Sequence, residues 1–325
     1  MAWGLTFLMA SALFLATPVF AADYPSRAIS LVCPVNPGGT LDLNARAFAG
    51  VAEKLLGKPV VVLNKPGASG AIGTAFVAEA KPDGYTIGLG WSSQTAIIVQ
   101  EMVNGRKPPF ALEDFSVLGR LTDSPPLLVV THNNPWKTAR EALADVKAHP
   151  NTYSYAGSGI YSIGHLPFML LDKELKTKTK LVPTRGGGEN VSLFLGGHVT
   201  FLAQYPGPAL PLVKSKQIRA LAQWGGKRVK NFEDVPTFKE LGYNVVYTAW
   251  VGLLAPKATP APILERLRSL VKQVTSDPAF VSTMEKAGDQ VDYTDAETTR
   301  MAWQKEFNQL YPLIEELEKE KEKKP

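Results

Sequence analysis

An apolar run, Ile29-Ser30-Leu31-Val32, leads into Cys33-Pro34-Val35-Asn36-Pro37-Gly38-Gly39-Thr40-Leu41-Asp42 and then into a segment with helical spacing. Strand, glycine turn and helix start, in that order, point to an α/β arrangement. The same geometry leaves several backbone N–H groups unpaired at the positive end of a helix dipole. Such a spot favours an anion. No Lys follows the glycines, so this is not a Walker A loop, and it does not spell G-x-G-x-x-G. The reading is a holder for a small anion, a carboxylate, without a nucleotide.

The rest of the chain repeats the alternation. Ala28 to Val32, Val60 to Leu63 and Thr86 to Leu89 read as strands, with Leu41 to Leu56 and Ile72 to Ala80 as helices, which predicts a mostly parallel sheet. A second set of strands is expected at Leu127 to Val130, Tyr153 to Ala156, Leu181 to Pro183, Val199 to Ala203 and Arg219 to Gln223. Helix candidates separate them at Ala139 to Ala148, Ile163 to Leu175, Glu189 to Leu195 and Leu210 to Lys216. After Trp250 to Pro256 the chain turns helical, with Ala261 to Thr275 and Asp295 to Glu318 long and amphipathic. This last part is expected to pack back on the first unit. The predicted organisation is a leader at 1–21, a discontinuous lobe I from 22–125 and 250–325, and a lobe II from 126–249. Two such lobes make a cleft at the carboxyl ends of their strands, where open α/β sheets bind ligands.

Residues 1–21 carry no charged side chain, and Val19-Phe20-Ala21 fits a secretory cleavage site, so the mature chain is expected to begin at Ala22. No other stretch has the ~20 apolar residues of a membrane span. The single cysteine excludes an internal disulfide framework, and Cys33 reads as a buried small hydrophobe. The formal charge of +5 is modest for 325 residues, and the basic side chains are scattered among acids, so nucleic acid is not indicated.

Further glycine turns precede helix candidates: Gly67-Ala68-Ser69-Gly70, Gly157-Ser158-Gly159-Ile160-Tyr161-Ser162, and Arg185-Gly186-Gly187-Gly188. Amide-rich turns converging from two lobes would cradle a carboxylate with backbone and hydroxyl donors. Thr40, Ser158, Tyr161 and Ser162 add hydroxyls. Asp42 is better placed to stabilise its helix start than to act as a catalytic acid. Arg185 suits either a two-pronged bond to a ligand carboxylate or a solvated loop. Trp91, Tyr161, Tyr205 and Trp250 read as lobe packing, with one or two lining a cavity. Enzyme motifs are missing: His132, His149, His165 and His198 lie far apart, and no G-x-S-x-G elbow is present. The stretch Gly88-Leu89-Gly90-Trp91-Ser92-Ser93 has Ser where a dinucleotide fingerprint needs its third glycine, although Ser92 is retained as a candidate ligand contact.

Taken together, ordered blocks along nearly the whole mature chain resemble the periplasmic solute receptors of tripartite tricarboxylate transporters, the Bug family. They are Pro34 to Asp42, Asn64-Lys65-Pro66-Gly67-Ala68-Ser69-Gly70, Pro82-Asp83-Gly84-Tyr85-Thr86, and Gly157-Ser158-Gly159 with His165-Leu166. The series continues with Leu195-Gly196-Gly197-His198-Val199, Asp234-Val235-Pro236-Thr237 and Gly252-Leu253-Leu254-Ala255-Pro256.

The resemblance implies a two-lobed α/β Venus flytrap in the periplasm. It would be a monomer without cofactor, metal or catalysis, closing on a small organic carboxylate and handing it to an ion-driven membrane permease. It carries ligand contact over to Asn36, Gly38, Gly39, Thr40 and Asp42, and to Ser158, Tyr161, Ser162 and His165. Thr184 and Arg185 stand where family members often have Tyr and Lys. Thr200 and Gln204 stand where acids are common. If Gln204 faces the cleft, no carboxylate receives a ligand ammonium group, and a ligand without a free amine is expected: a dicarboxylate, hydroxy-acid or aromatic acid. Other readings of the residues are a receptor for a membrane sensor kinase, and a hydrolase or lyase of small acids.

Overall fold

The computed structural model describes residues 24–38, 40–184 and 186–322. The expected leader, and Gly39 and Arg185 of the candidate site, lie outside the described residues.

The strands are β1 (Ile29–Cys33), β2 (Val60–Asn64), β3 (Thr86–Trp91), β4 (Phe115–Ser124), β5 (Leu127–Thr131), β6 (Ser154–Gly157), β7 (Lys180–Pro183), β8 (Phe201–Gln204), β9 (Ile218–Gln223), β10 (Ala249–Pro256) and β11 (Val291–Thr294). They form two sheets, a six-stranded one in the order β11-β4-β10-β3-β1-β2 and a five-stranded one in the order β7-β6-β8-β5-β9. The molecule is thus a two-lobed α/β protein, with one sheet in each lobe.

The helices are α1 (Thr40–Leu56), α2 (Ala71–Ala78), α3 (Ser93–Val103), α4 (Ala139–Ala148), α5 (Leu166–Leu175), α6 (Gly187–Leu195), α7 (Pro206–Lys214), α8 (Ala261–Ser276), α9 (Pro278–Ala287) and α10 (Ala296–Glu322). In α1 the buried Ala45, Phe48, Ala49 and Ala52 recur at three- and four-residue spacing, the stripe that seats a helix on a sheet. Leu267, Leu270, Val271 and Val274 do the same in α8. Burying each such Leu, Val or Phe contributes roughly 1.5–3 kcal/mol.

The first sheet is mixed, where the alternation predicts a mostly parallel one. Strand β1 runs parallel to β2 and β3, but β10 runs antiparallel to both β3 and β4. The reason is connectivity. The chain leaves the first sheet through β4, turns at Pro125-Pro126 into β5 of the second sheet, and returns through β10.

Helix α10 makes a further link between the lobes. Trp303 near its start packs edge-to-face on Trp250 and at a tilt on Phe115 of the first sheet, with ring centroids 5.6 and 6.2 Å away. Leu310, Leu313 and Ile314 further along belong to the hydrophobic cluster that includes Leu128, Tyr155 and Trp224 of the second lobe.

Candidate functional site

Asp42 organises the first loop. Its carboxylate accepts from Gly38 N at 2.9 Å, Arg46 Nε at 2.9 Å, Arg46 Nη2 at 3.1 Å and Asn64 Nδ2 at 2.8 Å. A carboxylate offers about four acceptor positions, and all are used. The Arg46 guanidinium, helped by Asn64 and Gly38, outweighs burial and holds Asp42 down at about 2. Asn64 also donates to Val35 O at 3.0 Å, so the end of β2 clips the loop in place. This role of Asn64 has no signature in the sequence beyond its place in a turn. Gly38 spends its N–H on Asp42, while Pro34, Val35, Asn36, Thr40 and Leu41 of the loop and helix start border open space.

Next to this loop, the turn before α2 holds φ values of +129, +47, +54 and +97 at Gly67, Ala68, Ser69 and Gly70. Ala68 and Ser69 occupy a left-handed region that L-residues avoid, and such outliers persist where surrounding structure enforces them. A Cβ on Gly70 would meet the Trp91 ring at 2.5 Å, so only glycine lets this turn reach Trp91. The Trp91 backbone is fixed in turn by Gln94, whose Oε1 accepts from Trp91 N at 3.1 Å while its Nε2 donates to Thr74 at 3.0 Å.

The second lobe faces these turns with the segment after β6. Tyr161 also has positive φ, +60, and is held by two bonds. Its N–H donates to His165 Nδ1 at 2.8 Å, and its hydroxyl donates to Glu318 of α10. Burial, with Glu318 beside it, pushes the phenol above its ordinary value. An accepting Nδ1 requires a neutral His165 ring protonated at Nε2. Thr184 donates to Asn190, and Asn190 donates to Ser158 Oγ at 3.3 Å, tying the β7–α6 turn to the same segment.

Two adjoining cavities lie between the lobes. The wide one, about 1240 Å³, is bordered by Asn36, the Gly67–Gly70 turn, Ser93, Ser158, Tyr161 and Ser162. The deep one, about 100 Å³, is bordered by Thr40, Ser92, Ser124, Tyr205 and Asp289. Leu41, Trp91 and Ile163 border both. The junction therefore falls where three segments pass from one cavity to the other: Thr40-Leu41, Trp91-Ser92-Ser93 and Ser162-Ile163. The first two are the starts of α1 and α3.

Among the described residues, Ser92 Oγ, Ser162 Oγ and the Tyr205 hydroxyl are sealed from solvent with no hydrogen-bond partner. The Tyr247 hydroxyl lies beside Ser92 without closing a bond of good geometry. Burial raises the Tyr205 phenol well above its ordinary range. Asp289 is already bonded, accepting from Ser124 Oγ, from Gln290 N at 3.0 Å and from Asn44 Nδ2 at 3.0 Å.

Of the sequence-predicted residues, the structure brings Asn36, Thr40, Ser92, Ser158, Tyr161 and Ser162 to the cavities. Gly38, Asp42, His165, Thr184 and Gln204 border neither, and act on neighbouring backbone or side chains. Gln204 is 8 % exposed and folds its Oε1 back onto Tyr205 N at 3.1 Å, so its placement does not support the argument from it against a ligand ammonium group. Tyr205, one of the aromatics expected to pack or to line a cavity, borders the deep one, and Asp289 enters the site list only from the structure. Asp289 follows a helix end with no motif around it. Among the described residues no group of three metal-ligating side chains comes together, and no helix is long and apolar enough to cross a membrane.

Comparison with known proteins follows the same lines. A profile of the tripartite tricarboxylate transporter family receptor matches residues 44–319. The chain is 32 % identical to the protein BugT of Bordetella pertussis over 275 residues, covering 84 % of each. A TctC solute-binding protein from Polaromonas, solved without ligand, superposes with a TM-score of 0.80 at 29 % identity, over 90 % of this chain and 99 % of that one. MatC from Rhodopseudomonas palustris, solved with bound malate, superposes at 0.74 with 26 % identity, over 90 % of this chain and 100 % of that one.

Proposed function

The chain belongs to the tripartite tricarboxylate transporter receptor family, a family of periplasmic solute-binding proteins, and from that premise we propose that it captures a small organic carboxylate between its lobes and delivers it to a membrane permease without chemical change. The observation that carries the reading is the set of sealed, unpartnered hydroxyls of Ser92, Ser162 and Tyr205 at and beside the junction of the two cavities. A buried donor without an acceptor costs about 1–3 kcal/mol, and a ligand oxygen removes that cost. The first residues of α1 and α3 reach the same place, where unpaired helix N–H groups favour negative charge.

Donors converge there from both lobes, so a bound carboxylate is held best when the lobes are closed on it. Affinity for the closed form is what shifts the population toward it. Asp289, the acid that borders the deep cavity, has its charge spread over three donors and leaves the junction to the hydroxyls. That MatC was solved with malate supports the ligand class. Among the described residues the site offers hydroxyl and amide donors but no nucleophile with a base beside it, which favours binding over turnover.

A thermal-shift panel of mono-, di- and tricarboxylates, aromatic acids and amino acids tests the proposal. Ligand at 100 times its dissociation constant stabilises the folded state by about 2.7 kcal/mol, a rise of a few degrees at this size. A rise with one acid class and none with amines or neutral sugars is expected. No rise with any acid, using folded protein free of carried-over ligand, would overturn it.

A further inference from the structure

Helix α2 presents apolar residues on both of its faces. Thr74 and Val77 are buried beneath it, yet Ile72 and Phe76, one turn apart on the outer side, are 57 % and 41 % exposed. Folding gives no reason for this, since the outer face of a surface helix is ordinarily polar. Both side chains border the wide cavity. Lys65 Nζ lies 4.1 Å from the centre of the Phe76 ring, holding a charge against one of its faces. Across the cleft Ile160, 54 % exposed, borders the same cavity from the second lobe, beside the strained Tyr161. Ile97 of α3 adds a further apolar wall. Exposed apolar groups gathered from two lobes around one opening mark a binding surface.

The wide cavity carries polar residues as well, Glu79, Gln100, Glu101 and Lys107 among them. The unpartnered hydroxyls sit at the junction and in the deep cavity, whose volume of about 100 Å³ is less than a tenth of the 1240 Å³ of the wide one. The larger part of a ligand therefore finds its room in the wide cavity. Whatever a ligand carries beyond its carboxylate extends into the wide cavity, between Ile72, Phe76 and Ile97 on one side and Ile160 on the other. Closure of the lobes narrows that space and leaves its wall chemistry unchanged.

We infer that the ligand is an amphipathic acid, a carboxylate joined to an apolar aliphatic or aryl-alkyl body of about six or more carbons, with that body clamped between the outer face of α2 and Ile160. This rests on the carboxylate reading of the same site and names its ligand class. A compact, highly hydroxylated diacid would leave the apolar walls wet and gain nothing from closing them. The body is the occupant that explains why α2 and the Ile160 segment, which share no core, both spend apolar side chains on one opening.

The test is calorimetric titration of the purified protein with propionate, hexanoate, octanoate and 3-phenylpropionate, with succinate and malate alongside, all below any micelle-forming concentration. Affinity is expected to climb about threefold to fourfold per methylene along the straight-chain series, the increment for burying a CH₂. In the Ile72→Ser/Phe76→Ser double variant that climb flattens, with octanoate losing at least tenfold while propionate is unchanged. Ile72→Val/Phe76→Leu retains the climb and guards against a general folding defect. Short diacids binding well with no gain along the series would overturn the inference and leave the carboxylate reading standing. An undiminished climb in the serine double variant would overturn the placement on α2. Absence of binding by every acid would overturn both.

Discussion

Gly207 at the start of α7 and Gly288 at the end of α9 pack backbone against backbone, and they belong to different lobes. A Cβ on Gly207 would fall 2.3 Å from Gly288 Cα, and one on Gly288 would fall 1.8 Å from Gly207 Cα. Gly288, with its neighbours Ala287 and Asp289, also borders the deep cavity, as do Tyr205 and Pro208 beside Gly207. The contact therefore forms part of the floor of the deep cavity, where the two lobes meet. Gly207→Ala should hold the lobes apart with folding intact, lowering carboxylate affinity at least tenfold in titration. Gly288→Ala should also lose about 1 kcal/mol of stability, because its φ of +72 suits glycine. Unchanged affinity in Gly207→Ala would show that closure does not need this contact.

Removing the unpartnered hydroxyls should separate binding from stability. Ser92→Ala and Tyr205→Phe delete groups without a protein partner, so denaturant midpoints without ligand should stay within about 0.5 kcal/mol of wild type or rise. Affinity for the acid should fall by about 1.5–3 kcal/mol, the worth of a hydrogen bond to a charged group. A variant that loses stability and keeps affinity would reassign the hydroxyl to packing.

Asp42 should behave as a scaffold. Asp42→Asn loses part of a charge-assisted network and is expected to cost about 1.5–3 kcal/mol by urea titration at neutral pH. The wild-type carboxyl sits near 2, below its ordinary 3.8, so the unfolded chain binds more protons between those values. Its stabilising contribution is present above about pH 4 and is lost as pH falls toward 2. Asp42→Asn should remove that part of the acid-side slope.

Glu306 of α10 gives the opposite slope. It accepts from Trp250 Nε1 at 2.7 Å, while its Oε1 is sealed near Thr95 without a bond of good geometry. Asp123 and Tyr247 are the titratable groups beside it. Burial first, then Asp123, pushes its carboxyl up to about 8, against the pull of the Trp250 and Thr95 donors. The folded chain then holds a proton that the unfolded chain releases near 4.5, so stability falls as pH rises from about 4.5 to 8. Asp172, raised by burial to about 6, adds to the same fall. Glu306→Gln keeps the Trp250 bond and should flatten the decline, gaining more in denaturant midpoint at pH 8 than at pH 5. A parallel pH profile would contradict this.

Much of this architecture was legible from short-range pattern. The strand–glycine–helix order at Ile29 to Asp42 placed the first loop at a helix start, and the apolar stripes of α1 and α8 stand out as helical spacing. Strand β4 was missed because Gly119, Arg120 and Asp123 interrupt its apolar run. Arg120 pairs with Asp123 along the same strand at 3.0 Å and with the distant Asp292 at 2.7 Å. Helix α5 begins at Leu166 instead of Ile163, because the left-handed Tyr161 and its bond to His165 keep the preceding turn irregular. In the cleft, Thr40, Ser92 and Ser162 could be proposed from glycine turns with hydroxyls. Tyr205 stands out only as an aromatic that packs or lines a cavity, and Asp289 and the Gly207–Gly288 contact have no such signal, since each depends on how one lobe meets the other.

The most direct test of the account is a crystal structure of the protein with the acid that binds it most tightly. The account predicts the carboxylate at the junction of the two cavities, its oxygens about 2.6–3.2 Å from Ser92 Oγ and Ser162 Oγ, with the lobes closed on it. A carboxylate seated elsewhere, with Ser92 and Ser162 still unpartnered in the closed protein, would contradict it.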